Sequence, residues 1–232
     1  MFNQHKERKI AVRNTFDTIA GSYDLMNRIM SMGLDLRWRR EAVRKAALNT
    51  DSVVLDAAAG TGDMTEIIVH ENDAQVYSLD FSTGMLTQLR KRTVNSRIIC
   101  GDIDTLPFSN GTFDAVTIAF GVRNLADASH GLTEFKRVLK PGGRLVILEL
   151  LKPESVAASM VYRGYLHGLI PLAGFAVSGN LKAYRYLGKS VESFHTRDEL
   201  MRIIIECGYT IESFSNCLFG VAGIFTCIKS SD

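Results

Sequence analysis

The segment VVLDAAAGTGD (residues 53–63) runs from an apolar, β-branched stretch through a glycine turn into residues that open a helix. Asp56, Gly60 and Gly62 set up a D-x-x-x-G-x-G turn. Glycines there let backbone approach a ligand closely and set free helix N–H groups, at the positive end of the helix dipole, against an anionic group. A dinucleotide fingerprint would need Gly or Ala at position 65, where the chain has Thr65, and no Lys-Ser/Thr pair follows Gly62. The NAD or FAD loop and the P-loop are therefore disfavoured.

Working outward, QVYSLD (75–80), RIIC (97–100), FDAVTIA (113–119) and GRLVILEL (143–150) alternate with helix-like segments at 63–71, 83–94 and 127–139. Short Val/Ile-rich runs separated by helices predict βαβ units and an open, mostly parallel, doubly wound α/β sheet covered on both faces. Pro141-Gly142-Gly143 reads as a turn between the helix ending at Leu139 and the next strand. After a helix near 197–207, YTIESF (209–214) and GVAGIFTCI (220–228) are expected to pair antiparallel. Residues 4–48 read as helical. No linker or repeat divides the 232 residues, so one domain is expected: 1–48 helical, 52–150 the βα core, 151–196 an apolar insert, and 197–232 a closing helix and strands.

Composition excludes disorder and disulfide scaffolds, with 46% hydrophobic and 22% charged residues. The net charge of +2 is unevenly divided, because residues 1–45 carry ten Lys/Arg against five Asp/Glu and leave seventeen against twenty for the rest. From Ser155 to Leu181 the only charge is Arg163. Pro171 and several glycines interrupt that stretch, which argues against a transmembrane span. Four scattered cysteines suggest neither zinc nor disulfides, no metal site is expected, and the polar start of the chain lacks a signal-peptide core, so a cytoplasmic protein is expected.

Asp80 stands 20 residues after Gly60 at the end of a strand, where a carboxylate can accept both hydroxyls of a ribose, and Asp102 follows the next strand. Three acids, Asp56, Asp80 and Asp102, at successive strand ends with no phosphate-binding lysine suit a nucleoside that carries positive charge. S-adenosyl-L-methionine fits that description better than ATP or NAD.

The chain resembles the class I S-adenosylmethionine-dependent methyltransferases and, within them, the ubiquinone/menaquinone C-methyltransferases. LDAAAGTGD (55–63) and RVLKPGGRLVILEL (137–150) are shared across many methyltransferases. FDTIAGSYDLMNRIMSMGLDLRWRR (16–40), DTLPFSNGTFDAVTIAFGVRN (104–124) and AYRYLGKSV (183–191) are more specific. The resemblance covers nearly the whole chain. It implies cofactor contacts at Thr61, at Asp80 on the ribose, at Asp102 and Ile103 beside the adenine, and at Ala119, where relatives often carry serine. Phe225 and Leu150 also depart from the family's common histidine and phenylalanine.

The resemblance further implies methylation of a ring carbon of a prenylated demethylmenaquinol, or of the ubiquinone precursor. Such a carbon attacks only when an ionising ring hydroxyl pushes in electron density, and that hydroxyl's ordinary pKa is near 10. Arg123 is the candidate for lowering it, with the Asn124 amide on the second ring oxygen. Tyr23 and Asp24 are expected in a helical lid with Tyr23 near the sulfonium, against plain packing of its ring. His167 and His195 are assigned no catalytic role.

A small-molecule O- or N-methyltransferase would need neither FGVRN nor AYRYL. The net negative charge beyond residue 45 and the lack of a base-binding Pro-Pro-Tyr motif argue against nucleic acid as partner. A non-catalytic cofactor binder is the third alternative. Peripheral membrane contact is expected from the uncharged stretch as cover for a prenyl tail, with the basic first fifth toward anionic lipid. Buried helices and a solvated charged face are the plain alternative, and a homodimer is left open.

Overall fold

A computed structural model describes residues 2–92, 95–153, 164, 165, 168 and 170–230. Three helices come first, α1 (Phe2–Ile19), α2 (Tyr23–Met30) and α3 (Asp35–Lys45). The βα core follows as β1 (Val53–Ala57), α4 (Asp63–Asn72), β2 (Gln75–Asp80), α5 (Thr83–Lys91), β3 (Ser96–Cys100), β4 (Phe113–Ala119), α6 (Ala128–Val138) and β5 (Leu139–Leu150). Then come α7 (Ile170–Ser178), α8 (Leu181–Glu192), α9 (Arg197–Glu206), β6 (Tyr209–Cys217) and β7 (Ala222–Lys229). The seven strands lie in the order β3-β2-β1-β4-β5-β7-β6, with β7 antiparallel to both of its neighbours and the other pairings parallel.

Alternation along each strand divides the core in two. Leu55, Val116, Ile118, Leu145 and Ile147 face a cluster closed by Leu132, Phe135 and Val138 of α6 and by Leu200 and Ile204 of α9. Their neighbours Val54, Ala115, Val146 and Leu148 face the opposite cluster, closed by Trp38, Ala42 and Val43 of α3 and by Met64, Ile67 and Ile68 of α4. A sheet buried on both faces needs near-continuous apolar strands, which is what these runs provide. The switch in strand order falls between β1 and β4, so their carboxyl ends open a crevice.

One expectation is corrected. The helix before Pro141 stops at Val138, and β5 begins at Leu139, paired with Phe113, before a register shift carries it to Arg144 opposite Ala115. Pro141-Gly142-Gly143 is thus an irregularity within an extended segment, with Gly142 at φ +72°, rather than a turn that precedes the strand. Gly62 has a packing role. It caps α4 at φ +97°, and a Cβ there would stand 2.1 Å from Leu89 Cδ1 of α5, so its lack of a side chain serves helix packing.

The N-terminal helices lie across the carboxyl ends of the strands. On α1, Asp17 accepts from Ser82 Oγ at 2.6 Å and from the Gly84 amide at 2.8 Å. A Cβ on Gly84 would approach the Asp17 Cα to 2.9 Å, so glycine permits this contact. On α2 and α3, Arg28 reaches both Asp35 and Asp63, while Arg92 bonds Asp63 at 2.8 Å and Asp24 at 2.7 Å. Burial opposes ionisation of Asp63, but Arg39, Arg28 and Arg92 together hold its carboxyl below its ordinary pKa. Of the basic first fifth, Lys9, Arg28 and Arg39 are therefore turned onto acids of the protein, whereas Arg8, Arg13, Arg37, Arg40 and Arg44 are exposed.

Among the described residues no helix is long and apolar enough to cross a membrane. Residues 155–163, 166, 167 and 169 of the uncharged stretch, His167 included, lie outside the described residues.

Gly62→Ala should force Leu89 to repack at a backbone angle that alanine resists, at about 1–3 kcal/mol. Thermal melting followed by circular dichroism should show Tm several degrees lower, and an unchanged Tm would contradict this packing role.

Candidate active site

A cavity of about 700 Å³ opens at the switch point. Of the expected contacts, Gly60, Asp80, Asp102, Ile103 and Ala119 line it, together with Tyr23 and Asn124. Asp80 ends β2 with Oδ2 accepting from the Gly60 amide at 2.9 Å and Oδ1 from the Ser82 amide at 2.8 Å. It is 6% exposed, and burial pushes its carboxyl up to about 6 despite those amides. Each carboxylate oxygen keeps acceptor capacity for a ribose hydroxyl.

Asp56, Thr61 and Gly62 are not on this wall. Asp56 lies beneath the loop, accepting from Thr65 Oγ1 at 2.6 Å and Thr117 Oγ1 at 3.1 Å, and burial also raises its carboxyl to about 6. Its place on β1 directs it onto the same face as Val54, into the α3/α4 side, where it ties the start of α4 to the sheet. Thr65, the residue that breaks the dinucleotide fingerprint, is one of its partners. Thr61 is 3% exposed and donates to Asp24 of the lid.

Phe81, Met85, Ile103 and Leu125 give the cavity apolar walls. Lys9 of α1 also lines it, but its ammonium is shared by Asp102 at 2.6 Å and Asp104 at 2.5 Å. Neither Lys9 nor its partners were legible as a set from the sequence, because they lie 93 and 95 positions apart. Carboxylates at two strand ends, apolar walls and a lysine already neutralised fit a cationic nucleoside and serve a phosphate poorly.

Beside this cavity lies a second chamber made of two adjacent lobes of about 550 and 390 Å³. They share Asn27, Met30, Arg123 and Leu187, and one lobe shares Phe16, Tyr23 and Asn124 with the first cavity. Arg123 faces this chamber, not the first cavity. It sits in a 3-10 turn, Val122–Asn124, directly after Phe120, whose backbone is held at φ +59°. Arg123 Nη1 donates to Glu149 Oε1 at 2.6 Å and to the Phe120 carbonyl at 2.5 Å, while its backbone N–H reaches Glu149 Oε2 at 3.1 Å. Burial alone would favour the neutral guanidine, but the charge and hydrogen bond of Glu149, with Tyr23 and Tyr186, together outweigh it and the Arg123 pKa rises. Arg123 is consequently charged but not free, since it shares that charge with Glu149.

Asn124 is committed as well, with Nδ2 donating to the Phe120 carbonyl at 3.2 Å and Oδ1 accepting from Tyr186 Oη at 3.1 Å. Tyr186 comes from AYRYL, so two of the specific motifs meet through one hydrogen bond. Tyr23 starts α2, packs edge-on against Phe16 with centroids 6.0 Å apart, and lies next to Gly60. Burial raises its hydroxyl pKa, with Arg123 and Arg39 opposing. Leu150 lines the chamber, whereas Phe225 is fully buried against Phe214 in the core. His195 packs against Phe194 and lines none of these cavities. Glu149 was missed in the sequence reading, yet a lone carboxylate in the apolar run LVILEL was a visible signal.

The model of the ubiE/COQ5 methyltransferase family matches residues 2–229. The chain belongs to the ubiE/COQ5 methyltransferase family. It is 44% identical to a demethylmenaquinone methyltransferase of Thermus thermophilus, over 90% of this chain and 97% of that one. A ubiquinone/menaquinone biosynthesis C-methyltransferase UbiE of Geobacter sulfurreducens is 39% identical, over 95% of this chain and 89% of that one. Among solved structures, an S-adenosylmethionine-dependent methyltransferase from Thermotoga maritima superposes with TM-score 0.66 at 18% identity, covering 94% of this chain and 100% of that one, which supports the fold. As a family member the chain is a methyltransferase, and its cofactor is S-adenosylmethionine.

Cofactor affinity should depend on pH through Asp80. Below about 6 its carboxyl takes up a proton and loses acceptor capacity, so the Kd for S-adenosylmethionine should rise between pH 7 and 5. Without ligand the sign reverses for stability. A carboxyl whose pKa is raised in the fold holds its proton more tightly folded than unfolded, so its contribution to stability falls as pH rises from about 4 to 6. Isothermal titration should show weak, nearly pH-independent binding for Asp80→Asn, and an unchanged pH profile would contradict the assignment.

Proposed function

We propose that the chain methylates a ring carbon of a prenylated demethylmenaquinol to give menaquinol, a late step in menaquinone biosynthesis. The observation that carries this proposal is the mostly apolar chamber next to the cofactor cavity, which shares Tyr23 and Asn124 with it as lining and has a charged, buried Arg123 on its wall. A flat apolar ring with two oxygens suits such a chamber, and the names of the most similar relatives agree with it. The sulfonium of bound S-adenosylmethionine supplies an electrophilic methyl group.

The chain's own part is to bind, orient and ionise the ring. Tyr23, beside Gly60, stands where the two cavities meet and can hold the ring carbon against the cofactor side. Arg123, kept charged by Glu149, favours the phenolate over the phenol, which puts electron density on the attacking carbon. Asn124, fixed by Tyr186 and the Phe120 carbonyl, shapes the junction. The ring carbon gains the methyl and loses its hydrogen as a proton. The hydroxyl proton, released to water on ionisation, returns when the aromatic ring is restored. The exclusion of water by the lid strengthens each of these electrostatic effects.

The prenyl tail must lie along apolar surface. On α2, Leu25, Ile29 and Met32 just beyond it are exposed, as are Leu172, Phe175 and Val177 of α7, the helix packed against α2. Ile170 of the same helix lines the chamber. Peripheral contact of this ridge with a membrane would deliver the tail, while Lys9, Arg28 and Arg39 of the basic first fifth are engaged elsewhere.

Transfer of labelled methyl to reduced demethylmenaquinone, with the product located by mass spectrometry, tests the reaction. Methylation at the ring carbon is expected, and methyl on oxygen or only on the ubiquinone precursor would overturn the menaquinone assignment. Replacing the buried pair together, Arg123→Met with Glu149→Met, should leave stability within a few kcal/mol. The double variant should bind cofactor normally and lose roughly 10²–10³-fold in kcat.

A further inference from the structure

Asn27 belongs to the family-specific segment YDLMN, yet nothing above gives it a role. It lies one helical turn after Tyr23 on α2 and faces both lobes of the chamber. It is 8% exposed, and its Nδ2 makes no hydrogen bond of ordinary geometry; the nearest claim on it is the Tyr23 hydroxyl, whose pKa Asn27 helps to lower. The Nε of Arg123 is a buried N–H donor without a partner in a side chain that is otherwise fully engaged. Asn27 and Arg123 line the same two lobes, one from the lid and one from the sheet. Buried donors are nearly always paired, and two without an acceptor in side chains that line the same chamber mark a place for one.

We propose that Asn27 is a substrate-binding residue whose Nδ2, with Nε of Arg123, forms a two-donor receptor for one ring oxygen of the quinol. The assignment rests on the quinol reading above and deepens it. It moves the amide that holds a ring oxygen from Asn124, already bonded to Phe120 and Tyr186, to Asn27. Two N–H groups can only donate, so the oxygen they hold must accept, and its ionised form accepts best. The carboxylates nearby cannot compete for these donors. Glu149 takes the Arg123 amide and Nη1 together with the Leu150 amide, and Asp35 takes Arg28 and Ser31. Because Asn27 rides on the lid, the receptor is complete only when α2 is in place, which couples ring ionisation to closure.

The titratable and charged groups around the ring come from every side. They are Tyr23 on α2, Asp35 with Arg28 and Arg39, Arg123 with Glu149, Tyr165, and Tyr184 and Tyr186 on α8. Variants of Asn27 leave these side chains in place, and of their pKa values they act directly on that of Tyr23, which Asn27 helps to lower.

The test compares Asn27→Ala, Asn27→Asp and Asn27→Ser with the wild type in anaerobic assays on demethylmenaquinol across pH 6–10. Asn27→Ala should lower kcat about 10²-fold and move the alkaline rise of kcat to higher pH, with cofactor Kd unchanged. Asn27→Asp, which places a like charge beside the phenolate, should fall further, and Asn27→Ser, which keeps a donor, should recover part of the loss. Thermal melting with bound cofactor checks that each variant is folded. Folded variants that keep the wild-type kcat and pH profile would overturn the assignment, as would Asp equal to Ala and Ser without recovery. If the wild type itself transfers no methyl to the quinol, the proposed function fails, and the Asn27 assignment falls with it.

Discussion

The ion pair between Arg123 and Glu149 is almost wholly out of water, with side chains 3% and 0% exposed. An unpaired charge in that position would be prohibitive, so each residue fixes the other, and removing one alone should destabilise the fold by about 3–5 kcal/mol. Glu149 is at the end of β5 and Arg123 in the turn beyond β4, so the pair joins the carboxyl ends of two adjacent strands. It also holds the Phe120 carbonyl in place, and with it Phe120 in a left-handed conformation that a bulky residue adopts only under constraint. Phe120 is the wall common to the cofactor cavity and the larger lobe of the chamber. The ion pair therefore braces the wall between the two sides of the crevice, together with Asn124 on the Phe120 carbonyl and Arg39 over its ring.

The lid is organised around a second buried charge. Asp63, at the first turn of α4, gathers Arg28, Arg39 and Arg92, and Arg92 passes the connection to Asp24, which in turn takes Thr61. The cofactor loop and α2 are thereby locked to one another without touching the cofactor cavity. Arg39 adds a cation–π contact over the Phe120 ring at 5.1 Å, so the lid network and the dividing wall are in direct contact. The same network holds Tyr23 and Asn27 of α2 beside the chamber.

The fold was legible in the sequence because a doubly covered sheet needs apolar runs of strand length separated by amphipathic helices, and the chain alternates these from Val53 to Leu150. Asp80 and Asp102, which line the cavity, were legible from their places at strand ends. Asp56, Thr61 and Gly62 belong to the same motif but are not among the residues that line it, since spacing does not say which side of a loop a residue faces. What the sequence could not reveal were pairings across distance: Lys9 with Asp102, Arg28 with Asp63, Arg123 with Glu149. These depend on how the N-terminal helices cross the sheet, and local pattern does not encode that crossing.

The central claim is that the chamber makes the ring oxygen ionise far below its ordinary value near 10. The most direct measurement is the ultraviolet difference spectrum of reduced demethylmenaquinone bound to the wild-type protein with S-adenosylhomocysteine, titrated anaerobically from pH 6 to 11. The account predicts that the phenolate band of the bound ring appears at least one pH unit below that of the free quinol. A bound ring that ionises at the same pH as the free quinol, or higher, would contradict it.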